Sequence, residues 1–347
     1  DALESGARNS TLGYGTLSQS TAGNDNVAVG YLSLLNYTGS NAVAVGSPAA
    51  DAATDAANLT AVGTDALSAC TEGDHNTAVG MSALATITTG EENVAIGKGA
   101  GYSVTGDRNV IVGKDAAYYA TSVTDTIAIG AIAFRGDGAT APTGDYNIAI
   151  GNYTLDAATS GEQNTAIGYS ALSSLTTGSY NTAVGLQAGQ DVTGDNNVLV
   201  GRYAGFDATS ITNCVAIGRD ALRVDGTTAV TGDENVAIGS YSLDACTSGN
   251  NNVAVGHEAG TDLTSGYRNV LLGSGAGANV TDNFSNIAIG HNALLVANTG
   301  ENYNVAIGGN AMNSTGTSAQ TGTISIGHNS LTALTSGERN IAVGYNA

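Results

Sequence analysis

The chain has 347 residues, of which 49 are glycine, two are proline and none is tryptophan, and its formal net charge is -20. Only 12% of the residues are charged, about half the usual share, which argues against an ordinary globular enzyme. Collagen is excluded because glycine does not occupy every third position, a membrane span because no apolar run approaches ~18 residues, and a nucleic-acid partner because phosphate-binding surfaces are basic.

A short block recurs along the whole chain, each time ending in a glycine that we call the anchoring glycine. Three examples are Asn26–Gly30, Asn93–Gly97 and Asn252–Gly256, which read Asn-Val-Ala-(Val/Ile)-Gly. Twelve of the nineteen intervals are 17 residues long. A unit this short cannot bury its own apolar residues, so stacked units must bury them together. The twenty anchoring glycines are Gly13, Gly30, Gly46, Gly63, Gly80, Gly97, Gly113, Gly130, Gly151, Gly168, Gly185, Gly201, Gly218, Gly239, Gly256, Gly273, Gly290, Gly308, Gly327 and Gly344.

The three residues before each anchoring glycine predict a short strand. Position -1 is Val, Ile or Leu in all twenty units, position -3 is mostly Val, Ile or Thr, and position -2 is mostly Ala. Such residues favour a strand, and apolar residues on both sides favour one that is buried on both faces. We expect one face to fill the coil and the small-residue face to meet another sheet or another chain at close range.

The residues after each anchoring glycine predict a second, shorter strand or a bend. Position +3 is Ala, Ser or Thr, and position +4 is usually Leu. Where position +4 is Gly101, Gly189 or Gly260, the next unit has a large residue at position -2, namely Ile111, Leu199 or Leu271. This exchange indicates volume compensation in a tight core.

Asparagine occupies position -4 in fifteen of the twenty units, including Asn26, Asn93, Asn164 and Asn252. Stacked coils would align these amides into a ladder that satisfies its own members and the turn backbone. We therefore interpret the asparagines as structural rather than functional residues.

These columns predict an all-β fold, a parallel β-solenoid (β-roll) of about twenty 17-residue coils. At ~4.8 Å per coil it would form a rod of roughly 90 Å. The absence of a linker or composition shift predicts one elongated domain over residues 1–347. The chain starts at Asp1 without methionine and stops partway through a unit, so we expect it to be a piece of a longer protein.

The block resembles the head repeats of trimeric autotransporter adhesins. It also resembles the Asn-Thr-Ala-Val-Gly-Tyr-x-Ala-Leu repeats of phage tail-fibre proteins, which residues 164–172 and 181–185 follow closely. The resemblance implies a left-handed roll and a homotrimer. The adhesin-head unit is usually shorter than 17 residues, which favours the tail fibre.

No residues stand out from the repeat as catalytic, so we expect no enzyme activity and no cofactor. His257, His291 and His328 share a column but lie two coils apart, about 10 Å, too far to ligate one metal ion. Cys70 and Cys246 share a column but lie ten coils apart, and Cys214 lies in a different column. No disulfide within the chain is therefore predicted, and all three cysteines are expected to be buried. Calcium binding by the acids that follow the Thr-Gly and Ser-Gly turns is a minor alternative to the absence of a cofactor. Those acids are Asp107, Asp145, Glu162, Asp195, Asp233 and Glu338.

Four lengthened coils, residues 134–145, 222–233, 296–303 and 312–322, are expected to bulge outward, where repeat proteins often bind partners. The candidate surface contacts are Arg135 and Asp137 in the first of them and the equivalent Arg223 and Asp225 in the second. Arg135, Gly136 and Asp137 form an integrin-type tripeptide, which we attribute to chance.

The predicted function is an extracellular structural and adhesive fibre. The preferred form is a phage tail-fibre shaft that contacts a host receptor or glycan, with copies of itself as partners and neither nucleic acid nor membrane insertion. The alternative is a bacterial surface adhesin head that binds extracellular matrix or cells. A remote alternative is an ice- or polysaccharide-binding solenoid.

Overall fold

A computed structural model describes residues 6–20, 22–224, 230–296, 300–313, 320–334 and 337–347. The chain divides into two compact units, Asp1–Gly178 and Ser179–Ala347, which we call unit 1 and unit 2. The described residues of both units form strands, turns and bends, without a helix. Accordingly, no helix in the described part of the chain is long and apolar enough to span a membrane.

Unit 1 is a parallel β-solenoid of ten strands, each formed by the three residues before an anchoring glycine. The strands pair in chain order with identical columns opposite each other, so that Val94 faces Val110 and Ala95 faces Ile111. The strands are β1 Ser10–Leu12, β2 Val27–Val29, β3 Val43–Val45, β4 Thr60–Val62, β5 Thr77–Val79, β6 Val94–Ile96, β7 Val110–Val112, β8 Ile127–Ile129, β9 Ile148–Ile150 and β10 Thr165–Ile167.

Unit 2 repeats this arrangement with ten further strands in one parallel ladder. The predicted strand position and the parallel β-solenoid are thereby confirmed in both units. The strands are β11 Thr182–Val184, β12 Val198–Val200, β13 Val215–Ile217, β14 Val236–Ile238, β15 Val253–Val255, β16 Val270–Leu272, β17 Ile287–Ile289, β18 Val305–Ile307, β19 Ile324–Ile326 and β20 Ile341–Val343.

The predicted second strand after the anchoring glycine is not formed, and the alternative, a bend, is what the structure has. Positions +2 and +4 take left-handed φ values, +55° at Ser82 and +48° at Leu84, which are incompatible with an extended strand. The N–H of Ser82 donates to Thr64 of the preceding coil, whereas the N–H of Leu84 donates to Ala100 of the following one. This alternation connects each turn to both neighbouring coils without a second sheet.

The prediction of which strand face is internal was wrong. The small residues at position -2 point into the coil, and Ala95 is 0% exposed. The large residues at positions -3 and -1 point outward, and Val110 and Ile96 are 37% and 43% exposed. The reason is volume: the interior already holds positions +3, +4 and +7, such as Ala83, Leu84 and Ile87, all fully buried. Only a small side chain fits opposite them.

The predicted volume compensation is confirmed, and it also operates within a single coil. A Cβ added at Gly101 would lie 2.9 Å from Ile111 Cδ1, and one at Gly260 would lie 2.8 Å from Leu271 Cδ1. Leu271 also reaches Gly277 in its own coil, at 2.7 Å from such a Cβ. A large residue at position -2 therefore fills the space left by glycine at position +4 in the preceding coil, in its own coil, or in both.

Candidate functional site

The anchoring glycines occupy a backbone conformation that other residues rarely adopt, with φ near +135°. The N–H of Gly97 donates to Val79 of the preceding coil, and a Cβ on Gly97 would lie 2.5 Å from the carbonyl oxygen of Gly113. The close approach of consecutive coils therefore depends on glycine. Eight examples, with φ between +134° and +145°, are Gly30, Gly80, Gly97, Gly168, Gly185, Gly256, Gly290 and Gly344.

The asparagines at position -4 form the ladder that the sequence predicts. The side-chain oxygen of Asn93 accepts the backbone N–H of Asn109 at 3.0 Å and its side-chain N–H at 2.9 Å. The Asn93 amide donates in turn to Asn76 and to the backbone of Gly106. Asn26, Asn164 and Asn252 make equivalent bonds to their own neighbours, and all four are at most 1% exposed. Buried amides that satisfy one another in this way stabilise the stack and are not available to a ligand.

The acids after the Thr-Gly turns also have a structural role, which the sequence analysis missed. Asp107 accepts the backbone N–H of Glu91 at 2.9 Å, Asp145 that of Thr124 at 2.8 Å, and Asp195 that of Ser179 at 2.7 Å. Each carboxylate thus bonds to the turn of the preceding coil. The signal in the sequence was the uncharged Asn24 at the same position of the repeat, which indicates that an acceptor rather than a charge is needed. In the structure Asn24 accepts the backbone N–H of Ala7 in the same way.

The three cysteines of the chain are free thiols. Cys70, Cys214 and Cys246 are buried and free, as predicted. Burial raises the pKa of the first two thiols to about 11 and that of Cys246 to about 12, so all three remain unreactive at neutral pH. Among the residues that the structure describes, no group of three or more His, Cys, Asp or Glu side chains is arranged to hold a metal ion.

The first lengthened coil forms a structured surface loop. The Asp137 carboxylate accepts the backbone N–H groups of Ala139 and Thr140, both at 2.9 Å, and these bonds hold its pKa below the ordinary value. Asp137 therefore caps its own loop, whereas Arg135 lines a surface pocket with Tyr118 and Tyr119. Sequence reasoning selected the arginine but missed the two tyrosines, because they lie one coil earlier.

In the second lengthened coil, Arg223 is engaged within the protein. Its guanidinium lies 2.7 Å from the Asp220 carboxylate and 4.8 Å from the centre of the Tyr203 ring. Asp225 lies outside the described residues, as do the central parts of the third and fourth lengthened coils.

Asp244 in unit 2 is a half-buried carboxyl group, and burial raises its pKa from 3.8 to about 6 despite a 2.8 Å hydrogen bond from Thr261. The folded state holds the carboxyl proton of Asp244 more tightly than the unfolded state does. Ionisation of Asp244 therefore lowers the free energy of unfolding above pH ~6, and this loss disappears as the pH falls towards 4. We expect Asp244→Asn to raise the Tm at pH 7.5 by about 2–4 °C, or about 1 kcal/mol after allowance for solvent exposure.

Thermal unfolding followed by circular dichroism at pH 7.5 and pH 4 would measure this effect. The gain should vanish at pH 4, and Asp262→Asn, at an exposed position nearby, should change little at either pH. An equal gain from Asp244→Asn at both values would contradict the assignment.

Two features of the described chain carry the functional argument: the outward face of the strands and the pocket beside Arg135. The chain matches no protein-family model, and no curated protein matches it either.

Proposed function

We propose that this chain forms the shaft of a homotrimeric adhesive fibre of the phage tail-fibre type, which supports attachment to a host cell surface. The observation that carries the proposal is the outward face of the strands, which we call the Val/Ile face. It consists of positions -3 and -1 of every strand.

The Val/Ile face is uncharged throughout and predominantly apolar. Of its forty residues, thirty-five are Val, Ile or Leu and five are Thr or Ser. With strands ~4.8 Å apart and columns ~7 Å apart, ten strands present a flat patch on the order of 400 Å² in each unit. Patches of this size on soluble proteins often mark interaction sites. Burial of such a face is therefore a strong driving force for association.

Further copies of the same chain are the partner that suits this face best. The two apolar columns repeat once per coil, and only a surface with the same spacing can match them over many coils. A second copy in parallel orientation has that spacing by construction. Because no charged residue lies in either column, identical faces can meet without repulsion. The resemblance to tail-fibre and adhesin-head repeats supports three copies rather than two.

The 17-residue unit favours a tail fibre over an adhesin head, whose unit is usually shorter. Stacked coils that are joined by a continuous amide ladder suit a load-bearing shaft. The lengthened coils then provide the irregular surface on which attachment can depend.

Analytical ultracentrifugation of the intact chain tests the assembly. We expect a species of three times the 34.2 kDa chain mass. The double variant Ile96→Lys/Ile217→Lys places one charge on the Val/Ile face of each unit, where the replaced side chains are 43% and 37% exposed. It should sediment as a monomer with an unchanged circular dichroism spectrum, because lysine is tolerated in solvent but not in an apolar interface.

The matched control is Thr89→Lys/Ser265→Lys, which adds the same charges at exposed positions away from the face. It should leave the trimer intact. A wild-type protein that sediments as a monomer at micromolar concentration would overturn the proposed assembly.

A further inference from the structure

We propose that the pocket in unit 1 binds a sugar unit that carries a carboxylate, as part of an acidic polysaccharide. This inference rests on the proposed attachment function and assigns it a site. The pocket has a volume of about 240 Å³ and is lined by Lys98, Asp115, Tyr118, Tyr119 and Arg135. That volume is below the roughly 300–1,000 Å³ of pockets for drug-sized ligands, so it suits a single sugar ring.

Three consecutive coils contribute to the pocket. Tyr118 stacks on Tyr102 of the preceding coil with ring centres 4.8 Å apart, and Tyr119 meets Tyr118 edge to face at the same distance. Gly99 leaves the room that these side chains need, because a Cβ there would lie 2.7 Å from Asp115 Oδ1 and 2.9 Å from Tyr118 Cδ2. The tyrosine pair therefore presents two rigid ring faces at nearly a right angle.

The first lengthened coil places Arg135 in the same pocket as these rings. The carbonyl oxygen of Arg135 accepts the N–H of Tyr119 at 3.0 Å, and the preceding residue, Phe134, is fully buried. Gly138 lies against the Tyr119 ring, so that a Cβ there would be 3.1 Å from its Cζ. The bonds from Ala139 and Thr140 to Asp137 then close the loop. The pocket is accordingly preformed.

The charges in the pocket select an anion. Lys98 and Arg135 contribute two positive charges in a chain of net charge -20, and Asp115 is partly compensated by Lys114, 3.6 Å away. The Nε atom of Arg135 is buried without a hydrogen-bond acceptor among the described residues. A guanidinium stays ionised and binds carboxylates through two parallel hydrogen bonds. A ligand carboxylate in the pocket would pair with the terminal nitrogens of this guanidinium.

Unit 2 contains the equivalent site already filled by its own residues. The duplicated segment lies 88 residues later in the chain, where Arg223 corresponds to Arg135 and Phe206 to Tyr118. There the guanidinium binds the Asp220 carboxylate at 2.7 Å and lies over the rings of Tyr203 and Phe206. In unit 1 the position of Asp220 is taken by Ile132. Asp220 thus marks where a ligand carboxylate would bind in unit 1.

The remaining groups define the rest of the ligand. A pyranose ring has an apolar C–H face that can lie on a tyrosine ring. Its hydroxyl groups can donate hydrogen bonds to Asp115 and accept them from Lys98. A polyphosphate or nucleic acid would bring several negative charges against a strongly acidic protein. A sugar with one carboxylate per ring meets the local positive charge with a smaller penalty, because its negative charges are more widely spaced.

Calorimetric or NMR titration of the full chain with glucuronic acid, and with glucose as its neutral counterpart, tests the proposal. We expect millimolar binding of glucuronic acid and at least about tenfold weaker binding of glucose, since the carboxylate bonds to Arg135 are charge-assisted. Arg135→Gln should weaken the binding of glucuronic acid by about tenfold or more.

Ile132→Asp is the sharper variant, because it installs the internal carboxylate of unit 2 and removes no pocket residue. It should abolish the binding of glucuronic acid with no loss of thermal stability, since Ile132 has a left-handed φ of +64° that aspartate tolerates better. Arg223→Gln, at the filled site, is the control and should leave binding unchanged. Equal affinity for the two sugars, or full binding by Ile132→Asp, would overturn the proposal.

Failure of the pocket and failure of the fibre are distinguishable. A trimer that adheres to cells equally well with or without Ile132→Asp would reject the pocket and retain the fibre. A monomer that binds glucuronic acid but no cells would reject the fibre and retain the pocket.

Discussion

Replacing Gly256 by alanine should destabilise unit 2 by more than about 4 kcal/mol, a size reached only when a specific structural requirement is broken. The φ of +145° at Gly256 costs any other residue about 1–3 kcal/mol. In addition, the new Cβ would lie 2.4 Å from the carbonyl oxygen of Gly273 and 2.5 Å from its carbonyl carbon. The two coils would have to separate, which would break the 2.8 Å hydrogen bond from Gly273 to Val255.

The chain has a matched control for this experiment at Gly344. Its φ is +141°, but the nearest atom to an added Cβ, apart from its chain neighbours, is Ala347 Cβ at 3.7 Å. Gly344→Ala therefore introduces the backbone strain without the collision. Denaturant unfolding followed by circular dichroism should show a much larger loss for Gly256→Ala than for Gly344→Ala. Similar losses would mean that backbone conformation, rather than the contact between coils, explains the glycines.

The second large effect is expected at Gly101 and Ile111, which share one space in the core of unit 1. Ile111→Ala should cost about 2–5 kcal/mol, because a fully buried side chain is replaced by a cavity. Gly101→Leu should cost about 1–3 kcal/mol or more, because its Cβ would lie 2.9 Å from both Ile111 Cδ1 and Leu84 Cδ2.

The two changes together should restore most of the lost stability. The double variant recreates a leucine-alanine combination that two neighbouring coils of unit 1 already have. Leu67 lies at position +4 of the first coil, and Ala78 lies at position -2 of the next coil, which also contains Leu84. Equilibrium unfolding of the four proteins in this mutant cycle would give the coupling energy, which we expect to be several kcal/mol. Leu84→Ala combined with Gly101→Leu is the comparison: it removes the contact with Leu84 but leaves Ile111 in the shared space, so it should recover much less. Additive costs for Gly101→Leu and Ile111→Ala would contradict the shared-space explanation.

Much of the local structure followed from columns in the sequence. A glycine every 17 residues, preceded by Val, Ala and Val or Ile, predicted both the strand bounds and the parallel pairing. The asparagine ladder was also predictable, because an amide has donors and acceptors enough to bond to the coils on both sides. The sequence alone also showed that glycine at position 101 is followed by a large residue, Ile111, at position -2 of the next coil, and this predicted that the two share one space.

The candidate sites were predicted less well. Arg135 was selected because it lies in a lengthened coil, but Lys98, Tyr118 and Tyr119 come from two earlier coils. Each of these residues is unremarkable within its own coil, and their proximity depends on stacking and on the path of the loop that carries Arg135. The acids such as Asp107 were considered only as a minor alternative for calcium binding, although a carboxylate oxygen there bonds to the preceding turn.

The sequence by itself therefore determined the repeat, the strands, the parallel solenoid and the amide ladder, because each depends on residues at a constant spacing. Only the tertiary structure decided which strand face is internal, and whether a second strand forms. Alternation of Val and Ala shows that the two faces differ, but the interior is the side where Leu84 and Ile87 already occupy the volume. The same is true of the pocket, since its charges and rings meet only when three coils are stacked and the longer loop folds back over them.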